Sequence, residues 1–271
     1  MKQTLRILAS SLAFGAVTVS VAPASAQDVR QVSASEATTE QQERHAAWST
    51  ILSKYVRPSA NGVNLFDYGA LKTSDADRAA LTAYLDSFET LDFDSLTRDE
   101  AYAAWANLYN ALTIDHMIGR YPVKSIRSGY IIGPWKDVKI VADGREVSLD
   151  DIEHKILRVE WDDPRVHYAV NCASIGCPNL QTTAWEAATL DADLDRAARA
   201  FVNDPRGVTI RERGGLQVSR IYKWFEEDFG GNEAGVINHL LQYADEGLAE
   251  QIRANADIKR HAYDWDLNDV Q

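Results

Sequence analysis

One long apolar segment constrains the fold of this chain more than any other feature. Thr97–Tyr121 predicts a single helix, because Thr97 and Glu100 match a capping box at its start and Pro122 ends it. Tryptophan, leucine and alanine side chains give this helix an apolar face. Such a helix needs a large apolar partner surface, which a chain of 271 residues is long enough to provide.

Two asparagines interrupt this apolar helix. Asn107 and Asn110 lie three residues apart and therefore share a face. Asparagine is mildly unfavourable in a helix interior, so the pair requires an explanation. If the helix is central to the fold, both amides are expected to hydrogen-bond to irregular backbone such as a loop. The alternative is that both asparagines face solvent.

The rest of the chain predicts further helices and two hairpins. Apolar periodicity and capping residues predict helices at Glu36–Val56, Ser74–Phe88, Ser148–Arg158, Leu190–Asn203, Glu233–Ala244 and Gly247–Ala254. Asp143-Gly144 and Gly214-Gly215 predict the turns of two β-hairpins. We therefore expect a single α+β domain over residues 36–271, mostly helical, with a small antiparallel sheet built from two hairpins and a central strand.

The first 26 residues have the pattern of a secretory signal peptide. Lys2 and Arg6 precede the apolar run Ile7–Ala22, and Ala24-Ser25-Ala26 fits a cleavage site. Residues 27–35 are polar and predict a flexible lead-in. The mature protein is therefore expected to be exported, periplasmic or secreted. No later segment is apolar and long enough to cross a bilayer.

Acidic residues dominate the charge of the chain. Loss of the two basic signal residues leaves 26 Lys and Arg against 40 Asp and Glu, which moves the net charge from −12 to −14. Such a surface repels nucleic acid and anionic lipid, so we expect no nucleic-acid partner. The partner, the substrate and the oligomeric state do not follow from the sequence.

Both cysteines of the chain lie in the short segment Val166–Leu180. Val166–Val170 predicts a short buried strand, and Asn171–Pro178 predicts a loop that carries Cys172 and Cys177. In an exported protein two cysteines are expected by default to form a disulfide. A loop this short would gain only about 2 kcal/mol from the bond. The domain would then be a non-catalytic binding or scaffold module.

Several blocks of the chain together resemble the domain of unknown function 547 family. The blocks follow the family's order and comprise residues 105–112, 148–154, 156–158, 166–178 with the core NCASIGCP, 219–229 and 263–268. The resemblance covers about residues 60–268, and Asp266 stands where the family pattern favours serine. The family carries no established activity. Because its relatives include proteins expected in the cytosol, the resemblance implies a role for the two thiols beyond a disulfide.

A thiol-dependent hydrolase or acyl transferase is the second interpretation of the cysteine segment. Cys172 is the candidate nucleophile, since it enters a turn whose backbone N–H groups are able to stabilise an oxyanion. His154 and His167 are the candidate bases, although strand alternation would point His167 away from Cys172. Ser174 is a weaker nucleophile. The candidate orienting groups for the imidazole are Glu153, Asn107 and Asn110.

A metal site is the third interpretation, and it is the least favoured. A structural zinc site usually has four ligands, and this chain has only one pair of cysteines, in a C-x4-C arrangement. We therefore assign no metal ligand and expect no cofactor. The redox state of Cys172 and Cys177, and whether the protein is an enzyme, stay open at this point.

Overall fold

The computed structural model describes residues 43–270. The helices are α1 (residues 43–55), α2 (Tyr68–Thr73), α3 (Asp75–Asp86), α4 (Arg98–Arg120), α5 (Leu149–Asp151), α6 (Arg158–Trp161), α7 (Val166–Ala169), α8 (Leu190–Val202), α9 (Ile221–Trp224), α10 (Glu233–Tyr243) and α11 (Glu246–Ala254). A π-helical turn spans Ile152–Leu157, and 3-10 turns span Phe93–Ser95 and Ala187–Thr189. The predicted signal peptide and lead-in lie outside the described residues.

Helix α4 is the core element that the sequence predicts. Thr97 caps it, and the Thr97 side chain and Glu100 form the predicted capping box. All residues from Tyr102 to Ile114 are buried, so this stretch is surrounded by protein on every side. Helices α2 and α3 and the π-helical turn pack against it. Full burial of each large apolar side chain is worth roughly 1.5–3 kcal/mol, which makes α4 the main contributor to the core.

Within residues 43–270, seven short strands form three separate small sheets. The strands are β1 (Val56–Pro58), β2 (Asn64–Phe66), β3 (Lys139–Ala142), β4 (Arg145–Ser148), β5 (Val208–Ile210), β6 (Leu216–Ser219) and β7 (Ile258–Ala262). Strands β1 and β2 pair antiparallel, as do β3 and β4, while β5, β6 and β7 form the third sheet. Both predicted hairpins are confirmed, and Asp143 and Gly144 have the positive φ values that their tight turn requires. The mostly helical α+β class is therefore confirmed.

The predicted central strand is wrong. Val166–Ala169 forms the one-turn helix α7, and only Val170 is extended. A short apolar run is compatible with either a buried strand or a buried helical turn, so periodicity does not separate the two. The third strand of the largest sheet is instead β7, which comes from the C-terminal region and runs parallel to β6.

The helical segment that follows hairpin β3–β4 positions Glu153 and His154. Ser148 caps it with Asp151, as predicted, and the helix continues from α5 through the π-helical turn into α6. The wider π turn carries Glu153 and His154. Such π-helical bulges are frequent at functional sites. Within residues 43–270, no helix has the length and apolarity needed to traverse a bilayer.

Candidate functional site

A cleft of about 410 Å³ contains both cysteines and most of the predicted site residues. It is lined by Tyr109, Arg127, Ile132, Trp135, Asp150, Glu153, His154, His167, Val170, Cys172, Cys177, Pro178, Ile221, Trp224, Phe225, Tyr263 and Trp265. We call Cys172, Cys177 and Tyr263 the sulfur wall. We call His154, His167, Glu153, Asp228 and Arg158 the imidazole wall; of these, Asp228 and Arg158 lie behind the histidines.

The two cysteines are free thiols whose sulfurs are in contact. The Sγ atoms of Cys172 and Cys177 lie 2.5 Å apart and are not joined by a disulfide. The backbone N–H of Cys172 donates a hydrogen bond to the Cys177 sulfur at 3.0 Å. Cys177 is buried, whereas Cys172 is partly accessible from the cleft. The pair therefore presents one accessible sulfur backed by one enclosed sulfur.

Tyr263 joins the two sulfurs and was not predicted as a site residue. Its hydroxyl lies 3.0 Å from the Sγ atom of Cys172 and 3.0 Å from that of Cys177. Burial raises the pKa of Tyr263, so its hydroxyl keeps its proton and is able to donate it in a hydrogen bond. A cue was present in the sequence, since Tyr263 belongs to the last family block.

Of the two thiols, Cys177 is the one that ionises more readily. Its hydrogen bond to Cys177, together with burial, raises the pKa of Cys172 well above the usual thiol value. Burial also opposes ionisation of Cys177, but hydrogen bonds from Cys172, Tyr263 and backbone N–H groups outweigh it and lower the pKa of Cys177. The two groups titrate as a pair, and the first proton is lost to give a thiolate centred on Cys177.

Asn110 fixes the backbone that leads into Cys172. Its Nδ2 donates to the Ala169 carbonyl at 2.9 Å, and its Oδ1 accepts from the backbone N–H of Asn171 at 2.8 Å. Asn107 makes the same pair of bonds to the backbone of Trp185, both at 2.9 Å. The prediction that both amides bind irregular backbone is confirmed. Neither asparagine contacts an imidazole, so the structure does not place them as orienting groups for a base.

The cysteine loop has a strained residue directly after Cys172. Ala173 has a φ of 58°, in the left-handed region that L-residues rarely adopt. The Asn171 side chain stabilises this turn, accepting from the Ala173 N–H at 2.8 Å and donating to the Pro178 carbonyl at 2.7 Å. A strained residue of this kind costs of order 1–3 kcal/mol and is typical of functional sites.

The segment 263–268 clamps the cysteine loop from the other side. The N–H of Gly176 donates to the Asp264 carbonyl and that of Ile175 to the Asp266 carbonyl, both at 2.8 Å. A Cβ atom at Gly176 would lie 2.7 Å from the Asp264 nitrogen, so only glycine permits this approach. The clamp is what brings Tyr263 to the sulfurs.

His167 is bound within the imidazole wall and not to a cysteine. Its Nε2 lies 2.6 Å from Asp228 Oδ2, and its Nδ1 lies 4.0 Å from Glu153 Oε1. Its ring stacks on Phe225 with centroids 4.0 Å apart. Because Val166–Ala169 is helical, the strand-alternation argument about His167 does not apply. No hydrogen bond joins an imidazole to either sulfur within residues 43–270.

Asp228 links His167 to Arg158 by a bidentate ion pair. Arg158 Nε and Nη2 lie 2.6 and 2.7 Å from the two carboxylate oxygens. Burial opposes ionisation of Asp228, but the hydrogen bonds from His167 and Arg158 outweigh it and hold its pKa well below the usual range. Asp228 was not predicted as a site residue, because it stands in an acidic run typical of a solvated helix end.

His154 and Glu153 complete the imidazole wall. Nδ1 of His154 lies 3.1 Å from Nη1 of Arg158, and its Nε2 lies 3.9 Å from Asp150. Glu153 is buried and accepts a hydrogen bond from the Tyr109 hydroxyl at 3.1 Å. Both residues line the cleft, but within residues 43–270 neither forms a hydrogen bond to the sulfur wall. Among residues 43–270, no group of three His, Cys, Asp or Glu side chains is placed to hold a metal ion.

Aromatic residues form the upper part of the cleft. Trp265 contacts Tyr263, Trp224 and Trp135, with ring centroids 4.5, 5.5 and 5.9 Å apart, respectively. Trp224 is 43% exposed, which is unusual for so large an apolar side chain. These rings surround the approach to the sulfurs and favour a substrate with apolar or planar groups.

Comparison with known families gives one match. The family model described as "Protein of unknown function, DUF547" matches residues 93–202, which confirms the resemblance over that region. The matched region includes Cys172, Cys177, His154 and His167, whereas Asp228 and Tyr263 lie beyond it. No curated protein and no solved structure matches the chain.

Proposed function

We propose that the DUF547 region, completed by Tyr263 and Asp228, forms a thiol-dependent hydrolase or acyl transferase that uses Cys172 as its nucleophile. One observation carries the proposal: a partly accessible thiol touches a second, enclosed sulfur at the end of an aromatic-lined cleft. Enclosed thiols with only a packing role do not require a cleft, a donor on both sulfurs or a strained neighbouring residue.

Cys177 takes the place of the histidine base predicted from the sequence. Once Cys177 has lost its proton, it accepts the proton of Cys172 as the Cys172 sulfur attacks the carbonyl carbon of an acyl substrate. The carbonyl π electrons move to oxygen. The Tyr263 hydroxyl stays hydrogen-bonded to the Cys177 sulfur, which now carries the proton. Collapse of the tetrahedral intermediate expels the alcohol, amine or thiol leaving group and leaves a thioester on Cys172.

The imidazole wall supplies proton transfer on the opposite side of the cleft. His167, oriented by Asp228, is placed to protonate the leaving group and then to deprotonate the incoming water or acceptor. Attack of water on the thioester gives a hydrolase, and attack of an amine or hydroxyl gives an acyl transferase. The two outcomes differ only in the second substrate.

The experiment traps the thioester. The purified protein is incubated with p-nitrophenyl esters of several acyl chain lengths, quenched in acid and examined by intact-protein and peptide mass spectrometry. An acyl adduct on Cys172 is expected for at least one ester. Cys172→Ser should abolish the thioester, while Cys177→Ser should slow its formation by roughly 10²-fold or more, the range typical of a lost base. Absence of any adduct across the panel, or equal acylation of Cys172→Ser, would overturn the proposal.

A disulfide-stapled binding domain is the second candidate, and the contact between the two sulfurs favours it. If the exported chain meets an oxidising dithiol–disulfide carrier protein, the two thiols lose two protons and two electrons to it and form the Cys172–Cys177 bond. Alkylation of the non-reduced protein, followed by mass spectrometry, separates the candidates. Two alkyl groups indicate free thiols and the enzyme, whereas none before reduction and two after it indicates the disulfide.

A further inference from the structure

The apolar tip at the mouth of the cleft carries an inference beyond the thiol chemistry. We propose that the loop 127–136 docks this protein onto the surface of a membrane that contains anionic lipid. Ile131 is 95% exposed and Ile132 is 80% exposed, so two adjacent branched apolar side chains project into solvent. Single exposed apolar residues are ordinary, but an adjacent pair at the tip of a loop is not.

The backbone holds this tip outward. Gly129 and Gly133 bracket it with φ values of 80° and 138°. A Cβ atom at Gly133 would lie 1.6 Å from the Trp135 ring, so glycine alone lets the chain turn back over that ring. The isoleucines are therefore presented by a turn that other residues would disrupt.

Two arginines anchor the loop to the body of the protein. Arg120 donates to the Ser128 carbonyl at 2.6 Å and lies 4.5 Å from the centre of the Tyr130 ring. Arg127 lies 4.9 Å from the centre of the Trp265 ring. These contacts fix the base of the loop, while Ile131 and Ile132 at its tip stay exposed among the described residues.

The charge around the tip is opposite to that of the whole chain. Between Asp115 and Asp137 there is no acidic residue, whereas Arg120, Lys124, Arg127 and Lys136 lie in this interval. The complete chain has a net charge of −12. Lys124 and Lys136 are exposed and form no ion pair with another residue in the range 43–270. The segment that carries the two isoleucines is therefore basic, in contrast to the acidic chain as a whole.

This combination fits a lipid surface better than a protein surface. A stable protein interface buries about 800 Å² on each partner, whereas Ile131 and Ile132 are the exposed large apolar residues that this loop offers within residues 43–270. In a two-fold dimer through this face, the basic segments of the two copies would meet and repel each other. Insertion of a small apolar tip between lipid headgroups, assisted by cations that contact anionic lipids, needs no large complementary area.

Docking by this loop would bring the cleft to the membrane. Ile132 and Trp135 belong to the loop and also line the cleft. Trp224, on the other side of the opening, is half-exposed and is suited to the headgroup region. A substrate carried in the lipid layer would then reach the sulfurs without crossing open solvent.

The test measures co-sedimentation of the protein with vesicles. Vesicles of phosphatidylcholine alone are compared with vesicles containing phosphatidylglycerol, at low and at physiological salt. The protein is expected to bind the phosphatidylglycerol vesicles, more weakly as salt rises. Ile131→Asp/Ile132→Asp should weaken binding at least ~10-fold. Lys124→Gln/Lys136→Gln should weaken binding to the phosphatidylglycerol vesicles and should not affect binding to the neutral ones.

The matched control places the same substitutions on another surface. Val141 and Val159 are also exposed, at 42% and 68%, and neither lines the cleft. Val141→Asp/Val159→Asp should leave vesicle binding unchanged, and circular dichroism should show that all variants fold. No binding by the wild type, or equal loss in both double variants, would overturn the proposal. A dimer that Ile131→Asp/Ile132→Asp converts to a monomer would overturn it too, since the tip would then be covered by a second copy. Because the assay involves no turnover, its failure leaves the acyl-transfer proposal untouched.

Discussion

The two walls of the cleft satisfy their polar groups in different ways. On the imidazole wall, His167, Asp228 and Arg158 bind one another through charge-assisted hydrogen bonds. On the sulfur wall, two thiols and one tyrosine share protons without a charged side-chain partner. Each wall is complete by itself, and the two meet only across the space that a substrate would occupy. A cysteine–histidine dyad in the usual sense is therefore absent from the described residues, where each sulfur instead contacts the other sulfur and the Tyr263 hydroxyl.

The largest effect is expected when the side chain that holds the backbone of the sulfur wall, Asn110, is removed and the imidazole wall is left intact. Asn110→Ala removes two buried hydrogen bonds to the backbone beside Cys172. Asn107→Ala, on the same helix α4, removes two equivalent hydrogen bonds to the backbone of Trp185. Each variant should lose roughly 3 kcal/mol of unfolding free energy, because backbone groups are left buried and unpaired. Urea denaturation measures that loss.

The two asparagine variants should differ in thiol chemistry. Only Asn110→Ala should change the rate at which iodoacetamide alkylates Cys172, since only Asn110 holds the backbone at Asn171. Equal changes in alkylation rate in both variants would show that Asn110 has no special role in holding the sulfur wall.

The next largest effect is expected on the imidazole wall. Asp228→Asn breaks the ion pair with Arg158 and should destabilise the protein by about 2 kcal/mol at pH 7, less than a fully buried pair because the side chains are partly exposed. The pKa of Asp228 is lowered in the fold, so its contribution is present above the unfolded pKa of about 3.9 and is lost as pH falls below it.

Two measurements test the role of Asp228. Denaturation at pH 7 and at pH 3 should show a smaller pH dependence for Asp228→Asn than for the wild type. Alkylation of Cys172 in this variant should be unchanged. An altered alkylation rate at constant fold would mean that the two walls are coupled before substrate binds.

A smaller effect, on the pKa of the thiol pair, is expected from Tyr263→Phe. The variant removes the hydroxyl that donates to both sulfurs, so the thiolate on Cys177 loses one donor. The apparent pKa of the thiol pair should rise by about one unit, which is the loss of a hydrogen bond to a charged group worth roughly 1.4 kcal/mol. The rate of iodoacetamide alkylation as a function of pH gives this shift. An unchanged pH profile would show that the Tyr263 hydroxyl does not stabilise the thiolate.

The smallest effect is expected from His154→Gln. Its side chain is 35% exposed, and its nearest partner is Arg158 on its own wall. We expect a change of less than about 1 kcal/mol in stability and an unchanged alkylation profile. The sequence favoured His154 as the base for Cys172, so a strongly slowed alkylation in this variant would restore that hypothesis.

The elements that local chemistry determines could be predicted from the sequence. The capping boxes at Thr97 and Ser148, the Asp143-Gly144 turn and the roles of Asn107 and Asn110 follow from short segments. The helical turn at Val166–Ala169 could not be predicted, because so short a run has no period that distinguishes a strand from a helical turn.

The partners of the site residues depend on distant parts of the chain. Asp228 approaches His167 from 61 residues away, and Tyr263 approaches Cys172 from 91 residues away. Sequence spacing contains no information about such approaches, so the predicted dyad joined Cys172 to the histidines that were nearest in the chain. The segments 219–229 and 263–268, on which the sequence resemblance partly rested although the family model does not reach them, were the available cue, but their members were interpreted as helix-end and packing residues.

The clamp of residues 263–268 on the cysteine loop has a consequence for the folding of the protein. Contacts between distant segments form late, because the entropy of closing a long loop must be overcome before they become favourable. Until Asp264 pairs with Gly176, the two thiols lack Tyr263 and have the reactivity of ordinary cysteines. The hydrogen-bonded group of Cys172, Cys177 and Tyr263 therefore requires the C-terminal segment and the cysteine loop to be in place together.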